Sequence, residues 1–225
     1  MEKENKKKGR IRLPGLQKPY VRIEKNGVFS YGGSQMWSPN KTIRVCGCGP
    51  VAVLDTVLYL SGRQSGGMSM EDYNRELAAL CRSYFPLIRP VGINGVLLAL
   101  GMNRLLRKYK LPYRAFWAVS AGKFWPRLES QLSQDIPVIF SVGPNFPALW
   151  KKHRLSLYRR RPDGSYFAAS SAVAHYITAT GFDGTWLRVS SWGGEYYINR
   201  AEYDEYIRRH SASLVSNMLM LRRIG

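Results

Sequence analysis

The junction between a turn of small residues and an almost wholly apolar segment constrains this chain most. Residues 46–49 read Cys-Gly-Cys-Gly, and Pro50 suits the first position of a helix, where its missing N–H costs nothing. Apolar residues then occupy nearly every face as far as Leu60, and Gly62 is a suitable stop. A helix that is apolar all round is buried at the centre of its domain. The sequence therefore predicts a central helix with Cys48 at its N-terminus.

This position gives Cys48 two interpretations. The unpaired amides and the positive dipole end of a helix N-terminus lower the pKa of a thiol and favour its reactive thiolate. Alternatively, Cys48 is a small buried residue that happens to precede a core helix. Cys46, two residues earlier, is either a redox partner or a second small residue.

Length and composition indicate one domain. The 225 residues are 45% hydrophobic, which is enough for a sizeable core. The polar, basic residues 1–18 predict a loose arm, and 19–225 predict a single domain. No apolar run reaches the 18 residues of a membrane span, and the charged N-terminus lacks the apolar region of a secretory signal. Three cysteines do not make a disulfide scaffold, so we expect a cytoplasmic protein.

The charge is strongly positive, with 34 Lys and Arg against 15 Asp and Glu and a formal net charge of +19. Basic residues cluster at 6–12, 104–114 and 151–161. Such a field attracts nucleic acid, anionic lipid or acidic peptides, so an anionic partner is one prediction. The alternative is a generally basic surface, because no segment matches a known nucleic-acid-binding motif.

The order of predicted elements favours an α+β fold with its helices first and an antiparallel meander after them. Asn26-Gly27 predicts a hairpin within 19–31, and the following loop leads to the Cys48 turn. Capping residues predict helices that begin at Ser69 and Asn94, and the second should bury Val96, Leu97, Leu100, Leu105 and Leu106. The remaining predictions are helices over 123–134 and after Asn199, a surface insertion over 144–170, and strands at 111–119, 136–142, 175–181, 186–192 and 214–221.

A reactive cysteine needs a base within hydrogen-bond reach. Of the three histidines, His153 lies in a basic run and His210 follows two arginines. His175 opens a strand that is expected to be buried, where its ring can be held rigidly across a cleft. A hydrogen-bonded core residue is the alternative for His175.

Three motifs in order resemble those of the bacterial C39-like cysteine peptidases of the papain-like superfamily. Residues 47–53 read Gly-Cys-Gly-Pro-Val-Ala-Val, similar to the Cys-Gly-Pro-x-Ala opening of that family. Residues 175–183 read His-Tyr-Ile-Thr-Ala-Thr-Gly-Phe-Asp and resemble the family's histidine strand. Residues 190–198 read Ser-Ser-Trp-Gly-Gly-Glu-Tyr-Tyr-Ile and resemble the Asn-Ser-Trp-Gly hairpin. The resemblance covers about 32–200 and implies a papain-like fold.

The resemblance also implies roles for individual residues. Cys48 would be the nucleophile, His175 the general base and acid, and Gln35 a side-chain donor to the oxyanion, with Gln17 as a weaker alternative. Ser190 stands where the family has Asn or Asp to orient the histidine, and a hydroxyl cannot stabilise an imidazolium as a carboxylate does. Asp183 belongs to a turn. No metal or other cofactor is expected, because no ligand set has suitable spacing.

Three functions follow from these observations. The first is cysteine-dependent hydrolysis of a peptide or protein substrate, or a related acyl transfer, by a Cys48–His175 dyad. The second is a degenerate peptidase fold that binds peptides, which the serine at position 190 favours. The third is a protein that binds nucleic acid or an anionic surface, which depends on the charge alone.

Overall fold

The computed structural model describes residues 14–63, 66–89, 92–118, 121–143, 153–212 and 216–224. These residues form six α-helices and eleven strands. The helices are α1 (Lys41–Cys46), α2 (Cys48–Leu60), α3 (Met70–Tyr84), α4 (Gly95–Lys108), α5 (Phe124–Ser133) and α6 (Arg200–His210). The strands are β1 (Ile23–Lys25), β2 (Val28–Phe29), β3 (Met68–Ser69), β4 (Tyr113–Trp117), β5 (Val138–Val142), β6 (Leu155–Arg160), β7 (Tyr166–Ala172), β8 (His175–Phe182), β9 (Trp186–Ser191), β10 (Gly194–Asn199) and β11 (Met218–Arg223).

An antiparallel sheet is the centre of the architecture. Within the described residues it has eight strands in the order β4-β11-β5-β8-β9-β10-β6-β7, and every neighbouring pair is antiparallel. A small second sheet has the order β2-β1-β3. The predicted α+β class is therefore confirmed.

Helices cover both faces of the large sheet. The core on one face contains buried residues of α2, α3 and α4, and the core on the other contains those of α5 and α6. Strand β5 lies between the two cores, and all five of its residues are buried. This burial explains the near absence of alternation in its sequence, because both faces of such a strand must be apolar.

Several local predictions are confirmed. Helix α2 has eleven of its thirteen residues buried, as expected for a helix that is apolar all round. Asn26 and Gly27 form a two-residue turn with positive φ angles of 52° and 76° between β1 and β2. The Ser69 and Asn94 side chains accept hydrogen bonds from first-turn amides of α3 and α4.

One helix was not predicted, and two predictions about the connections are wrong. Residues 41–46, which follow the loop predicted over 32–40, form α1, and the Asn40 side chain caps its first turn. The arm does not extend to residue 18, since Gly15 pairs with Gly181 of β8; residues 1–13 lie outside the described residues. Within the expected insertion, β6 and β7 form a hairpin that joins the main sheet through β10, while 144–152 lie outside the description.

Helix α4 buries only part of the predicted set. Val96, Leu97 and Leu100 are exposed, so this part of the prediction is wrong. Leu105 and Leu106 are buried as predicted, and Leu98 and Met102 are buried beside them. The Asn94 cap is confirmed, so the error concerns which face of the first turns is buried, which a run of apolar residues leaves open. Among the described residues, no helix is sufficiently long and apolar to cross a membrane.

Candidate functional site

Cys48 is the first residue of α2. Gly47 serves as the cap residue between α1 and α2, and it makes no side-chain bond to the first turn. The amides of Cys48 and Gly49 therefore remain available at the helix N-terminus. The backbone N–H of Tyr176, in β8, also approaches the Cys48 thiol. Cys48 thus lies where the central helix meets the sheet.

His175 is the first residue of β8 and is buried. Its Nε2 lies 2.9 Å from Ser191 Oγ, and its ring stacks on Trp192 with centroids 4.4 Å apart and planes 19° apart. Ala174 and Trp192 have φ angles of 47° and 49°. Left-handed backbone is strained for residues other than glycine and concentrates at functional sites. The ring is therefore held by a hydrogen bond, a stacked indole and two strained neighbours.

Cys48 and His175 line the same cavity. Its volume is about 10 Å³, which is roughly the room that one water molecule needs. Among the described residues the hydrogen bond of the His175 ring is the one between Nε2 and Ser191, and none joins the ring to Cys48 Sγ. Catalytic hydrogen bonds are often long in the absence of substrate. Residues that line this cavity include Gln35, Cys48, Asp55, His175, Ser190 and Ser191.

Burial determines the protonation of both groups. Burial raises the pKa of the Cys48 thiol, although hydrogen bonds from the Tyr176, Gly49 and Cys48 amides act in the opposite direction. Burial also lowers the pKa of His175 to about 3. The expectation that the helix N-terminus gives a low thiol pKa is therefore wrong for this closed site, because desolvation of the thiolate outweighs the amide contribution. The resting pair is a neutral thiol and a neutral imidazole.

Gln35 lies in a 3-10 turn (Gln35–Trp37) between β2 and α1. Its side chain is buried and lines the cavity, and its Nε2 donates to the Arg44 carbonyl at 2.9 Å. The side-chain amide nitrogen of glutamine carries two hydrogens. The bond to Arg44 therefore fixes the Gln35 side chain and leaves its second N–H available to donate. Gln17, the alternative donor, is exposed and lies outside the cavity lining.

Ser190 is not the hydrogen-bond partner of His175. Its Oγ donates to the Tyr31 carbonyl at 2.8 Å, and Ser191 bonds to the ring instead. A β-bulge between Ala179 and Gly181 shifts the pairing of β8 with β9 by one residue. Without the bulge, the pairing that starts at the turn between β8 and β9 would continue unchanged and would place Ser190 on the same face of the sheet as His175. A shift of one residue exchanges the faces, and Ser191 takes that position.

The sequence interpretation passed over Asp55. This residue is 2% exposed, lines the cavity and lies seven residues after Cys48 on α2. Its carboxylate accepts hydrogen bonds from the Gly33 N–H and the Tyr73 hydroxyl, and burial raises its pKa to about 7. A lone acid in an apolar helix was the available signal, since a buried carboxylate requires partners.

The other candidate residues lie away from the cavity. The Asp183 side chain accepts from the amides of the turn before β9, as its turn position predicted. His153 and His210 stack on each other with centroids 3.7 Å apart. Cys46 and Cys81 are free thiols, with Cys46 buried at the end of α1.

A second feature is a row of cations on the β6–β7 hairpin. The guanidinium groups of Arg159, Arg160 and Arg161 lie 5.2, 6.0 and 4.7 Å from the ring centroids of Tyr196, Tyr166 and Phe167. These separations are within the range of cation–π contacts. The hairpin and the neighbouring strand β10 therefore present adjacent arginines and aromatic rings.

Comparison with known proteins adds no assignment. No model of a known protein family matches the chain, and no curated protein sequence is significantly similar to it. Within the described part of the chain, no three His, Cys, Asp or Glu side chains are grouped so that they could hold a metal ion. The fold and the site define a mixed α+β protein with a Cys–His cavity where its central helix meets an antiparallel sheet.

Proposed function

We propose that this protein is a cysteine-dependent peptide hydrolase, or a related acyl-transfer enzyme, with a papain-like arrangement and a Cys48–His175 dyad. The observation that carries the proposal is the shared cavity, which is lined by a thiol at a helix N-terminus and by a buried imidazole. The helix packs against the histidine strand of an antiparallel sheet, which supports the papain-like arrangement. Peptides and proteins are the proposed substrates, and the chemistry requires no cofactor.

The first half of the reaction begins with a neutral pair. When Ser191 Oγ accepts from Nε2–H, Nδ1 of His175 carries the lone pair that accepts the Cys48 proton. The sulfur forms a bond to the substrate carbonyl carbon as this proton moves, and the carbonyl π electrons move to the oxygen. The Cys48 amide and the remaining Gln35 N–H can donate to the resulting oxyanion.

The second half releases the products. The imidazolium returns its proton to the leaving amine as the C–N bond breaks, which leaves a thioester on Cys48. His175 then deprotonates a water molecule that attacks the thioester, and Cys48 leaves as the thiol. Because burial disfavours the charged imidazole, His175 is neutral before it accepts the proton of Cys48 and before it accepts the proton of the water.

Acylation by p-nitrophenyl acetate tests the dyad without a known substrate. The reagent transfers its acetyl group to a thiol and releases coloured p-nitrophenolate, and peptide mass mapping identifies the acylated residue. We expect acetylation of Cys48, abolished in Cys48→Ala. We also expect His175→Ala to lower the rate by about 10²–10⁴, the usual contribution of a general base.

Matched controls come from the other thiols and histidines. Cys81→Ala removes a half-buried thiol whose pKa burial raises to about 12, and His210→Ala removes a histidine outside the cavity. Both variants should react at the wild-type rate. Acetylation of Cys46 or Cys81 instead of Cys48, or an undiminished rate in His175→Ala, would contradict the proposal.

The degenerate module remains the alternative for the same site. A module that only binds peptides would leave Cys48 as slow as an ordinary buried thiol, with no effect of the His175 substitution. Binding to an anionic partner is a separate candidate, and the arginines of the β6–β7 hairpin are the observation that favours it.

A further inference from the structure

Asp55 is a buried acid that pairs with no cation in the described part of the chain. It lies about two helical turns after Cys48, so both residues are on the same face of α2 and line the same cavity. None of the ion pairs within the described residues includes Asp55. A carboxylate in such a position is costly unless hydrogen bonds compensate it. Its hydrogen-bond partners therefore indicate what it does.

One partner is the backbone of a glycine pair. Gly33 N donates to Asp55 Oδ2 at 2.8 Å, and the Tyr73 hydroxyl donates to Oδ1 at 2.8 Å. A Cβ on Gly32 would lie 2.7 Å from Oδ2, and one on Gly33 would overlap the Tyr73 hydroxyl. The backbone reaches the carboxylate only because neither residue has a side chain.

Asp55 is one of several anchors on this segment, which we call the glycine loop (residues 31–34). The Tyr31 amide donates to the Gly193 carbonyl at 3.0 Å, and Ser190 Oγ donates to the Tyr31 carbonyl. These two bonds hold the loop to the β9–β10 hairpin. The bond from Gly33 to Asp55 holds it to α2, the helix of Cys48. Gln35 follows immediately after the loop.

We propose that Asp55 is a positioning residue that holds the glycine loop on α2, so that Gln35 and the Cys48 amide converge on one oxyanion. This inference rests on the proposed function. It assigns the buried acid a role in the stabilisation of the oxyanion and none in proton transfer. It also assigns Ser190 to the opposite side of the same loop, where its hydroxyl acts on position and not on the His175 ring.

Two reagents that both react with the Cys48 sulfur distinguish a role in oxyanion stabilisation from a general loss of structure at the site. p-Nitrophenyl acetate reacts through a tetrahedral oxyanion, whereas iodoacetamide is attacked at carbon with loss of iodide and forms no oxyanion. The ratio of the acylation rate to the alkylation rate at Cys48 therefore reports the oxyanion site. We would measure this ratio in wild type, Asp55→Ala, Asp55→Asn, Gln35→Ala and the double variant Asp55→Ala/Gln35→Ala.

Asp55→Ala should lower the acylation rate at least about tenfold and change the alkylation rate less than about twofold, since one oxyanion donor is worth a factor of about 10²–10³. Gln35→Ala should show the same selective loss, and the double variant should be no slower than Gln35→Ala. Asp55→Asn should recover part of the rate, because its amide can still accept from Gly33 and donate to the Tyr73 oxygen. Thr56→Val is the control for a buried polar residue of α2 outside the cavity lining.

Equal losses in both rates, or multiplicative losses in the double variant, would overturn the inference and leave Asp55 as a residue of the core. If Asp55→Ala fails to fold, Asp55→Asn and Tyr73→Phe provide the test, and an unchanged rate ratio in both would overturn it. Wild type that shows no Cys48 acylation would overturn the proposed function as well. Acylation that depends on His175, with an unchanged ratio in the Asp55 variants, would overturn this inference alone.

Discussion

Gly32→Ala should damage the site because a side chain at this position has no room, and Gly27→Ala provides a matched control. The two glycines have φ angles of 78° and 76°, so an alanine meets the same backbone strain at either position. A Cβ at Gly27 would meet nothing within 4 Å. A Cβ at Gly32 would overlap Ser190 Oγ and lie 2.7 Å from Asp55 Oδ2. The difference between the variants therefore measures the contact around the glycine loop.

The magnitudes follow from these two contributions. Left-handed backbone costs an L-residue about 1–2 kcal/mol, and the reduced freedom of the unfolded chain returns about 0.4–1 kcal/mol. Gly27→Ala should thus lose about 1 kcal/mol of unfolding free energy. Gly32→Ala must also displace Ser190 or Asp55 from a buried partner, which lowers the unfolding free energy by about 1–3 kcal/mol more. We expect it to lose about 2–4 kcal/mol in total.

Urea unfolding followed by tryptophan fluorescence gives both free energies, and acylation by p-nitrophenyl acetate gives the functional consequence. Gly32→Ala should also slow acylation of Cys48 because the loop that precedes Gln35 is displaced. Gly27→Ala should acylate at the wild-type rate. Equal losses of stability in the two variants would refute the contact of the glycine loop with Ser190 and Asp55.

Three further predictions concern other parts of the structure. Ser191→Ala should slow iodoacetamide alkylation of Cys48 more than Ser190→Ala, since only the first removes the bond to the ring; the reverse order would restore the assignment from the motif. The NMR signals of the His175 ring should not titrate between about pH 8 and 5. The contribution of the neutral His175 ring to stability should be lost as pH falls from about 6.5 towards 3, because the unfolded chain then binds a proton that the folded chain excludes. A ring that titrates near pH 6.5 would contradict the burial. Replacement of Arg159 and Arg160 by Gln should lower the salt concentration at which heparin-agarose releases the protein, and unchanged elution would exclude this hairpin as the anionic contact.

Much of the local structure followed from the sequence because local forces decide it. The helix after Pro50, the caps at Ser69 and Asn94, and the Asn26-Gly27 turn depend on residues within a few positions of one another. The positions of Cys48 and His175 at the starts of a central helix and a strand follow from the same signals. Their pairing as a dyad came from the order of the motifs and belongs to the proposed function.

The tertiary structure decided what no window of sequence contains. A bulge in β8 exchanges the faces of the sheet on which Ser190 and Ser191 lie, and the alternation of apolar and polar residues in β9 does not predict it. Desolvation reverses the pKa direction that the helix terminus alone gives Cys48, because it depends on atoms from the sheet as well as the helix. The partners of Asp55 come from a loop and a helix 22 residues before it and 18 residues after it. The sequence by itself determined the central helix, the helix caps and the Asn26-Gly27 turn, because each depends on neighbouring residues. The packing of the elements determined which side chains share a cavity and which of them carry charge.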